Sequence, residues 1–434
     1  MIKTISKPPL RHIDLSSVKK FFITPNLRAA KAKNMWQVAR MTEMTNQLAC
    51  KYASECSGCD WIHLPYDRQR AQKINDLASH LERAALSDKL EFFMPVIRWI
   101  ETAPGHMRTR MDLTIETATD QNALQSQQVS GLYSQDRHQL VDLENCAQLT
   151  PELDAWLLDF RKVKLNVRRG SVRLRVSPMA SMASQRGVWL DFANVDIKRL
   201  LDERTALDQL RQSAVVEIGQ KRKRLVDRAG TLKLADPVFE NWFETYDADG
   251  ASIPLHSTIG TFTQPGPIAN RALVKEVLLA MQADRPLRIA EFGSGIGNFT
   301  LPLASIAEEV RAFEIDPLAI AGLQLSLAAS GLDKKVQVFS GNFQISRTTP
   351  PALENLDAIL VDPPRSGIGH FLDPIETMPA IQRPTIFVYV SCFAESFALD
   401  SRRLAGLGYR MMDVAIVDQF PQSRHYEIVS RFER

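Results

Sequence analysis

The sequence predicts an α/β protein in which a doubly wound parallel sheet follows a β-rich segment of mixed α+β character. Three observations support this fold class. After about residue 270, apolar runs of four to six residues alternate with helical patterns, which is the rhythm of a doubly wound sheet. From about 108 to 245, short alternating segments such as SVRLRVSP and GVWLDFANV lie between polar turns and indicate strands. At 434 residues, the chain is also long enough for two or three domains.

The chain is predicted to divide into a basic N-terminal segment over 1–49, a central domain over 50–255 and a C-terminal domain over 256–434. Within the central domain, residues 66–90 carry Ile74, Leu77, Leu81 and Leu86 near one face. This spacing predicts an amphipathic helix, which can pack on the C-terminal domain.

Composition is that of an ordinary globular protein, with 45% apolar and 24% charged residues. No apolar run approaches the roughly 18 residues that a membrane span needs, so no membrane partner is expected. The N-terminus has lysines without the apolar stretch of a secretory signal. An odd and sparse cysteine count argues against a disulfide framework. We therefore expect a cytoplasmic protein, and a monomer.

Basic residues are concentrated in three clusters: nine Lys/Arg in 1–49, seven in 161–175, and Lys-Arg-Lys-Arg at 221–224. Such clusters suit a polyanion, because each phosphate that is neutralised releases counterions. Any single cluster could equally be a solvated face. The three together favour nucleic acid as the partner.

The segment LRIAEFGSGIGNFTLPLA reads as a buried strand, a glycine turn and the start of a helix. Gly293, Gly295 and Gly297 would let the backbone approach a ligand at the switch point of an open α/β sheet. Glu314 ends the next strand, where a carboxylate can accept both hydroxyls of a ribose. An enzyme that binds a dinucleotide would place the same parts similarly.

The fourth strand, AILVDPPRSG, ends in Asp362, two prolines and Arg365. An acid-Pro-Pro sequence at this place is typical of S-adenosylmethionine methyltransferases. Adenine-N6 enzymes have an aromatic residue after the prolines, and cytosine-5 RNA enzymes usually carry a cysteine in or beside the motif. The chain has neither, which points to a different base.

DPPRSG, VYVSCFAESFALD and HYEIV together resemble the 5-methyluridine RNA methyltransferases, from residue 50 to the end and most strongly after 257. The resemblance implies a Rossmann-like S-adenosylmethionine methyltransferase domain and a β-rich α+β RNA-binding domain. It assigns Cys392 as the nucleophile and Glu427 as the base. Phe262 and Arg108 are weaker candidates for holding an extruded uridine, and for Phe262 a place in the core is the equal alternative. The cofactor contacts carried over are Gln264, Phe292, Asn298, Glu314, Asn342 and Asp362.

The chemistry explains why this family needs a cysteine and a base. The C5 carbon of uracil is too weak a nucleophile to take a methyl group directly. A thiolate that adds to C6 makes the ring an enolate with electron density at C5. After methyl transfer, a base must remove the C5 proton so that the cysteine can leave.

The motif around the nucleophile departs from the family pattern. The family's Ser-Cys-Asn-Pro-x-Thr is here Ser-Cys-Phe-Ala-Glu-Ser, so that Phe393 and Ala394 replace Asn and Pro. Gly266 replaces the Asn of a Gln-x-Asn pattern, and Ser423 stands where Thr is common. These changes motivate a second hypothesis, a catalytically weak RNA-binding or ribosome-assembly protein of the same fold.

The other four cysteines form the pattern Cys50-x5-Cys56-x2-Cys59 followed by Cys146. Four thiolates could bind zinc or an iron–sulfur cluster, although structural zinc usually uses two Cys-x2-Cys pairs and this chain has one. The alternative is four unpaired structural thiols. In the resemblance, this spacing implies a structural [4Fe–4S] cluster, as in the ribosomal-RNA branch.

The expected substrate is a uridine in large-subunit (23S) ribosomal RNA. The first 49 residues are too few for the small β-barrel (TRAM) domain with which many family members begin. Short N-termini and wording close to CSGCDW are features of the branch that acts on large-subunit ribosomal RNA. A tRNA enzyme is the alternative, and the cysteine set disfavours it because bacterial tRNA enzymes of the family generally lack it.

Overall fold

The computed structural model describes residues 48–86, 95–118, 127–177, 185–193, 195–285, 287–342 and 353–434. All but the last two residues of the predicted basic segment 1–49 lie outside this part of the chain. None of the helices in the described ranges is long and apolar enough to cross a membrane.

Strands predominate in the described chain up to about residue 257, and helices and strands alternate after it. The helices are α1 (Tyr66–Leu86), α2 (Pro151–Phe160), α3 (Ile197–Asp202), α4 (Arg204–Ser213), α5 (Pro267–Ala280), α6 (Thr300–Ile306), α7 (Pro317–Ala329), α8 (Leu372–Thr377) and α9 (Ala394–Gly406). The strands are β1 (Ile97–Ile100), β2 (Arg110–Ala118), β3 (Gln127–Tyr133), β4 (Leu140–Asp142), β5 (Arg169–Val176), β6 (Arg186–Asp191), β7 (Val215–Ile218), β8 (Lys223–Arg228), β9 (Thr231–Ala235), β10 (Glu240–Tyr246), β11 (Ser252–Ser257), β12 (Arg288–Phe292), β13 (Glu309–Glu314), β14 (Val336–Ser340), β15 (Ala358–Val361), β16 (Ile386–Ser391), β17 (Arg410–Val417) and β18 (Glu427–Glu433).

The C-terminal half is built on an eight-stranded sheet of order β14-β13-β12-β15-β16-β18-β17-β1. Its neighbouring strands run parallel except around β18, which is antiparallel to both β16 and β17. Every residue of β15 and β16 is buried, as expected of parallel strands that are covered on both faces. The predicted doubly wound sheet is confirmed.

A second eight-stranded sheet has the order β4-β3-β2-β5-β6-β7-β8-β9. Its neighbours are antiparallel except for β6 and β7. Its core includes Trp156 and Phe160 of α2 and Leu207 and Leu210 of α4, all at most 1% exposed. The strands of this sheet agree with the β-rich segment that alternation predicts over 108–245.

Three elements that precede residue 258 pack on the C-terminal sheet. The helix predicted over 66–90 is observed as α1, and it packs on α9 with Leu77 and Leu81 in the core. Strand β1 extends the C-terminal sheet by pairing with β17. The hairpin β10–β11 contributes Phe243 and Leu255 to the core on the other face of this sheet, where it packs on α5 and α7. The predicted domain boundary at residue 255 therefore falls inside this hairpin.

Candidate active site

The predicted nucleophile and base lie at the same edge of the C-terminal sheet. Cys392 directly follows β16, and Glu427 is the first residue of β18. These strands are antiparallel, and Ser391 is paired with Ile428, which places the following Cys392 beside the preceding Glu427. Asp362 directly follows β15, the other neighbour of β16. Adjacent strand ends therefore bring three sequence-predicted residues together.

Burial governs the electrostatics of this pocket. Together with the nearby Glu427 and Asp362 carboxyls, it raises the pKa of Cys392 to about 11. Burial also raises the pKa of Asp362 to about 7 and holds that of Glu427 well above its usual value. The Cys392 thiol is therefore mostly protonated at neutral pH, and Glu427 is more readily protonated than a carboxyl in water.

Arg365 is the cation of the pocket, and the sequence argument assigned it no role. Its guanidinium lies near the Cys392 thiol and lowers the pKa of that thiol. Its charge also lowers the pKa of Glu427. The motif DPPR carried the signal for this residue, because it places an arginine three residues after a buried strand-end acid. Arg365 favours the ionised forms that covalent and general-base catalysis require.

Gln419 is a second residue that the sequence argument missed. It lies in the loop between β17 and β18 and is 1% exposed. Its Nε2 donates to Gln264 Oε1 at 2.5 Å and to Glu427 Oε1 at 3.5 Å. Its own Oε1 has no hydrogen-bond partner among the described residues. The structure thus connects Gln264, predicted as a cofactor contact, with the candidate base.

The glycine turn after β12 has the form of a ligand cradle. Gly295 has a φ of 56°, and a Cβ there would meet nothing within 4 Å, so the backbone borders open space. Gly297, with a φ of 98°, is different, because a Cβ there would collide with Leu301 and Leu323. The first glycine leaves room for a ligand, and the second allows α6 to pack.

Glu314 is fixed beside this turn by backbone amides. Its carboxylate accepts from the N–H of Gly295 at 2.8 Å, of Ile315 at 2.7 Å and of Asp316 at 2.8 Å. Ile315 is 57% exposed, which leaves an apolar side chain next to a fixed carboxylate. This combination suits a nucleoside, which has ribose hydroxyls and a flat base. The residues fit S-adenosylmethionine.

The remaining predicted cofactor contacts have different surroundings. Asn298 exchanges two amide hydrogen bonds of 2.8 Å with Asn270, so its side chain is fixed in place. Asn342 is half-buried just past β14. Phe292 is 1% exposed and stacks on Phe313 with ring centroids 4.4 Å apart. Its side chain belongs to the core, and its backbone alone faces the turn.

Phe262 and Arg108, the two candidates for holding a uridine, have different surroundings. Phe262 is 66% exposed, with the Arg110 guanidinium 5.2 Å from its ring centroid. An exposed aromatic ring beside an arginine is a platform on which a nucleobase can stack. Arg108 lies 5.8 Å from the ring of Phe420 and lines the cavity of the four cysteines.

Cys50, Cys56, Cys59 and Cys146 line one cavity of about 170 Å³ beneath the second sheet, and all four are free thiols. Burial and the neighbouring cysteines raise the pKa of Cys59 to about 12. Four converging thiols are the donor set of an iron–sulfur cluster or of zinc. Within the described ranges, however, no three His, Cys, Asp or Glu side chains form a group that could hold a metal ion as they stand.

The two basic clusters inside the described chain are largely used within the fold. Arg175 is buried and donates to the Thr258 carbonyl and the Thr263 hydroxyl. Other cations pair with acids of the same chain: Arg161 with Asp142, Lys162 with Asp159, Arg173 with Asp112, Arg222 with Asp316, Lys223 with Asp236, and Arg224 with Glu240. A count of charges in the sequence therefore overstates the cations that are available to RNA phosphates.

Comparisons with known proteins show which proteins the chain resembles. The family model described as tRNA (Uracil-5-)-methyltransferase matches residues 197–432. An uncharacterized RNA methyltransferase, Bd2056 of Bdellovibrio bacteriovorus, is 40% identical over 390 residues, which cover 89% of this chain and 95% of the relative. The 23S rRNA (uracil(1939)-C(5))-methyltransferase RlmD of Shewanella halifaxensis is 26% identical, over 88% of this chain and 81% of its own.

Among solved structures, the Pyrococcus abyssi tRNA (uracil-54, C5)-methyltransferase in complex with S-adenosyl-L-homocysteine superposes with a TM-score of 0.61. The match covers 87% of this chain and 86% of that one at 18% identity, so it shows a shared fold. Fold and site define an S-adenosylmethionine-dependent RNA methyltransferase. The chain belongs to the RNA uracil-5-methyltransferase family.

The raised pKa of Cys392 predicts slow alkylation of this thiol in the ligand-free protein at neutral pH. Because the thiolate is the reactive form, the rate should increase with pH toward the pKa of about 11. Arg365→Met should slow alkylation by about tenfold below that pKa, because the stabilising cation is lost. Iodoacetamide labelling mapped by peptide mass spectrometry measures both rates. The substitution of an exposed arginine, Arg228→Met, is the matched control. An alkylation rate that rises with pH around the ordinary pKa of a thiol would contradict the conclusion that burial raises the pKa of Cys392.

Proposed function

We propose that the protein transfers a methyl group from S-adenosylmethionine to C5 of a uridine in 23S ribosomal RNA, through a covalent bond between Cys392 and C6. The observation that carries the proposal is the meeting of Cys392, Glu427, Asp362 and Arg365 at one edge of the C-terminal sheet. This pocket lies at the sheet edge that also carries the glycine turn.

Cys392 makes the first bond. Its thiolate adds to C6 of the uracil, and the electron pair of the C5–C6 bond moves into the ring as an enolate. The Arg365 guanidinium supports this step, because it stabilises the thiolate in a pocket whose other charges are acidic. Because Cys392 is partly exposed, its thiol proton can pass to solvent before attack, and the raised pKa makes this deprotonation the costly part of the step.

S-adenosylmethionine, when bound, supplies an electrophilic methyl group on a positively charged sulfur. Asp362 and the fixed carboxylate of Glu314 give this edge of the sheet an acidic character that complements a cation. Burial keeps Asp362 near a pKa of about 7 in the ligand-free site. A nearby cation favours its ionised form, so that cofactor and carboxylate stabilise each other.

Glu427 completes the reaction. After C5 has been methylated, the Glu427 carboxylate accepts the C5 proton, the electron pair re-forms the C5–C6 double bond, and the thiolate of Cys392 leaves. The high pKa of Glu427 makes its carboxylate a stronger base than one in water. Gln419 directs an N–H at this carboxyl and holds it in place.

Gln419 also has a feature that suits uracil. Its buried Oε1 is an acceptor without a donor among the described residues, and a buried acceptor left unpaired costs free energy. Uracil presents a donor at N3, whereas cytosine presents an acceptor there. The N3–H of a uracil in the pocket could satisfy Gln419 Oε1, and the N3 of a cytosine could not.

Ribosomal RNA is the proposed substrate because of the cysteine set and the RlmD relative. Four cysteines lining one cavity match the ribosomal-RNA branch that the sequence resembles. The relative named for 23S rRNA aligns over 88% of the chain. A tRNA substrate is the second candidate, favoured by the names of the family model and of the Pyrococcus abyssi structure.

The four thiols are proposed to hold a [4Fe–4S] cluster. Cys50, Cys56 and Cys59 precede α1, whereas Cys146 precedes α2 on the second sheet. A cluster on these ligands would tie the start of the described chain to the second sheet. Methylation of uracil involves no electron transfer, so the role is structural.

The substrate is tested by incubating the protein with methyl-labelled S-adenosylmethionine and unmodified RNA. We expect label in 5-methyluridine of 23S ribosomal RNA and none in tRNA transcripts. Nuclease mapping of the labelled nucleotide measures the site. Label in tRNA alone would move the assignment to the second candidate, and label in neither RNA would favour a weak RNA-binding protein of the same fold.

Glu427→Gln should methylate C5 and then stall, because an amide cannot accept the C5 proton. We expect a covalent RNA–protein complex to accumulate with natural RNA, seen as a band that survives denaturing electrophoresis. Cys392→Ala is the control, and it should form no complex even with RNA containing 5-fluorouridine. Normal turnover by Glu427→Gln would refute the assignment of Glu427 as the base.

Protein purified without oxygen should be brown, with broad absorbance near ~400 nm from thiolate-bound iron and sulfide. Cys146→Ser should bleach it, because one of the four ligands is lost. Cys392→Ser is the matched control and should keep the colour. A colourless protein that contains stoichiometric zinc would overturn the cluster assignment.

A further inference from the structure

Helix α1 carries two polar side chains in a row that is otherwise apolar core. Gln69, Lys73, Leu77 and Leu81 follow each other at i, i+4 spacing, and each is at most 1% exposed. Burying an ammonium group is costly unless it is paired and hydrogen-bonded. The lysine in this row therefore needs a specific partner.

Lys73 has that partner in the loop between β17 and β18. Its Nζ donates to Asp418 Oδ1 at 2.7 Å and to the Phe420 carbonyl at 3.0 Å. The hydroxyl of Tyr66, at the start of α1, donates to Asp418 Oδ2 at 2.8 Å. The side chains of both Lys73 and Asp418 are 0% exposed, so this is a buried ion pair with both carboxylate oxygens bonded.

Gln69 fixes the same loop one turn earlier on α1. Its Nε2 donates to Gln422 Oε1 at 2.9 Å, and the Gln422 backbone N–H donates to Gln69 Oε1 at 2.9 Å. Gln422 has a φ of 66°, a conformation that residues with a Cβ rarely adopt. We name Tyr66, Gln69, Lys73, Asp418 and Gln422 the α1 clamp.

The clamp holds the residue that contacts the candidate base. Gln419 follows Asp418 directly, and its amide reaches Gln264 and Glu427. The N–H···O distance to Glu427 is 3.5 Å, at the limit of a hydrogen bond, so a small movement of the loop would break it. The position of this amide depends on the backbone that Asp418 anchors.

We propose that Lys73 is a positioning residue for uracil methylation, which acts through Asp418 to keep Gln419 against Glu427. The inference rests on the proposed function, because it takes Glu427 to be the base. Lys73 has no contact with the reacting groups of the pocket. Its role is to orient the loop that carries Gln419, whose amide contacts Glu427.

A buried ion pair is weak evidence of a contribution to stability, since apolar residues of similar volume often serve as well or better. Here the pair fixes the orientation of the Asp418 carboxylate. A carboxylate bonded at both oxygens by Tyr66 and Lys73 has one orientation, which an apolar contact would not impose. This difference separates a positioning role from a structural one by experiment.

Lys73→Met should selectively impair the step that needs Glu427. We expect kcat to fall by roughly 10- to 100-fold, in line with the effect of small misplacements of catalytic groups. Covalent RNA–protein complex should accumulate with natural RNA, because proton removal from C5 is slowed.

Three companion variants separate positioning from stability. Leu81→Ala, in the same row of α1, should lower the melting temperature without accumulation of the complex. Lys73→Arg keeps the charge and should recover part of kcat. The double variant Lys73→Met/Asp418→Leu leaves no unpaired buried charge, so it should fold even if Lys73→Met does not. It should still show low kcat and accumulated complex.

The proposal is overturned if Lys73→Met or the double variant turns over normally, or if its loss of kcat follows the melting temperature as in Leu81→Ala without accumulated complex. Glu427→Gln is measured alongside. If Glu427→Gln accumulates complex and the Lys73 variants do not, the positioning role alone fails. If Glu427→Gln itself accumulates none, the base assignment fails with it.

Discussion

The antiparallel insertion of β18 between β16 and β17 is the constraint on which the site depends. In a parallel sheet, residues that follow strands meet at one edge, and residues that begin strands meet at the other. Glu427 begins its strand, so a parallel β18 would place it at the edge opposite Cys392. Because β18 runs the other way, its first residue lies beside the last residues of β16. The direction of β18 thus brings Cys392 and Glu427 together, although they are 35 positions apart in the sequence.

The group of side chains that results is acidic. Burial raises the pKa values of Cys392, Asp362 and Glu427, and it raises that of Glu291 in β12 to about 8. A group of neutral acids is stable without ligand and becomes complementary to a cation when one binds. Arg365 is the positive charge that favours ionisation of the Cys392 thiol. The same low dielectric that suppresses ionisation at rest strengthens each charge once the site is filled.

The start of the described chain and its end meet around this pocket. Asp60, next to Cys59, accepts from the Arg424 side chain, and the Trp61 N–H donates to the Gln422 carbonyl at 3.0 Å. Tyr426, next to Glu427, donates its hydroxyl to Asp76 of α1 at 2.7 Å. The segment with three of the cavity cysteines is therefore packed against the loop that leads into the candidate base.

The local sequence pattern was enough to predict the doubly wound sheet, helix α1, the glycine turn and the strand-end positions of Asp362 and Cys392. These features depend on hydrophobic periodicity and turn residues, which involve only neighbouring positions. The partners of charged residues were not predictable in this way. Lys73 and Asp418 are 345 positions apart, and Arg175 looked like one more surface cation until the fold buried it. The joining of β1 to β17, the reversal of β18 and the contact of Gln419 with Glu427 were likewise decided by tertiary structure. Each is a contact between distant segments, whose free energy depends on burial and geometry that no local sequence window contains.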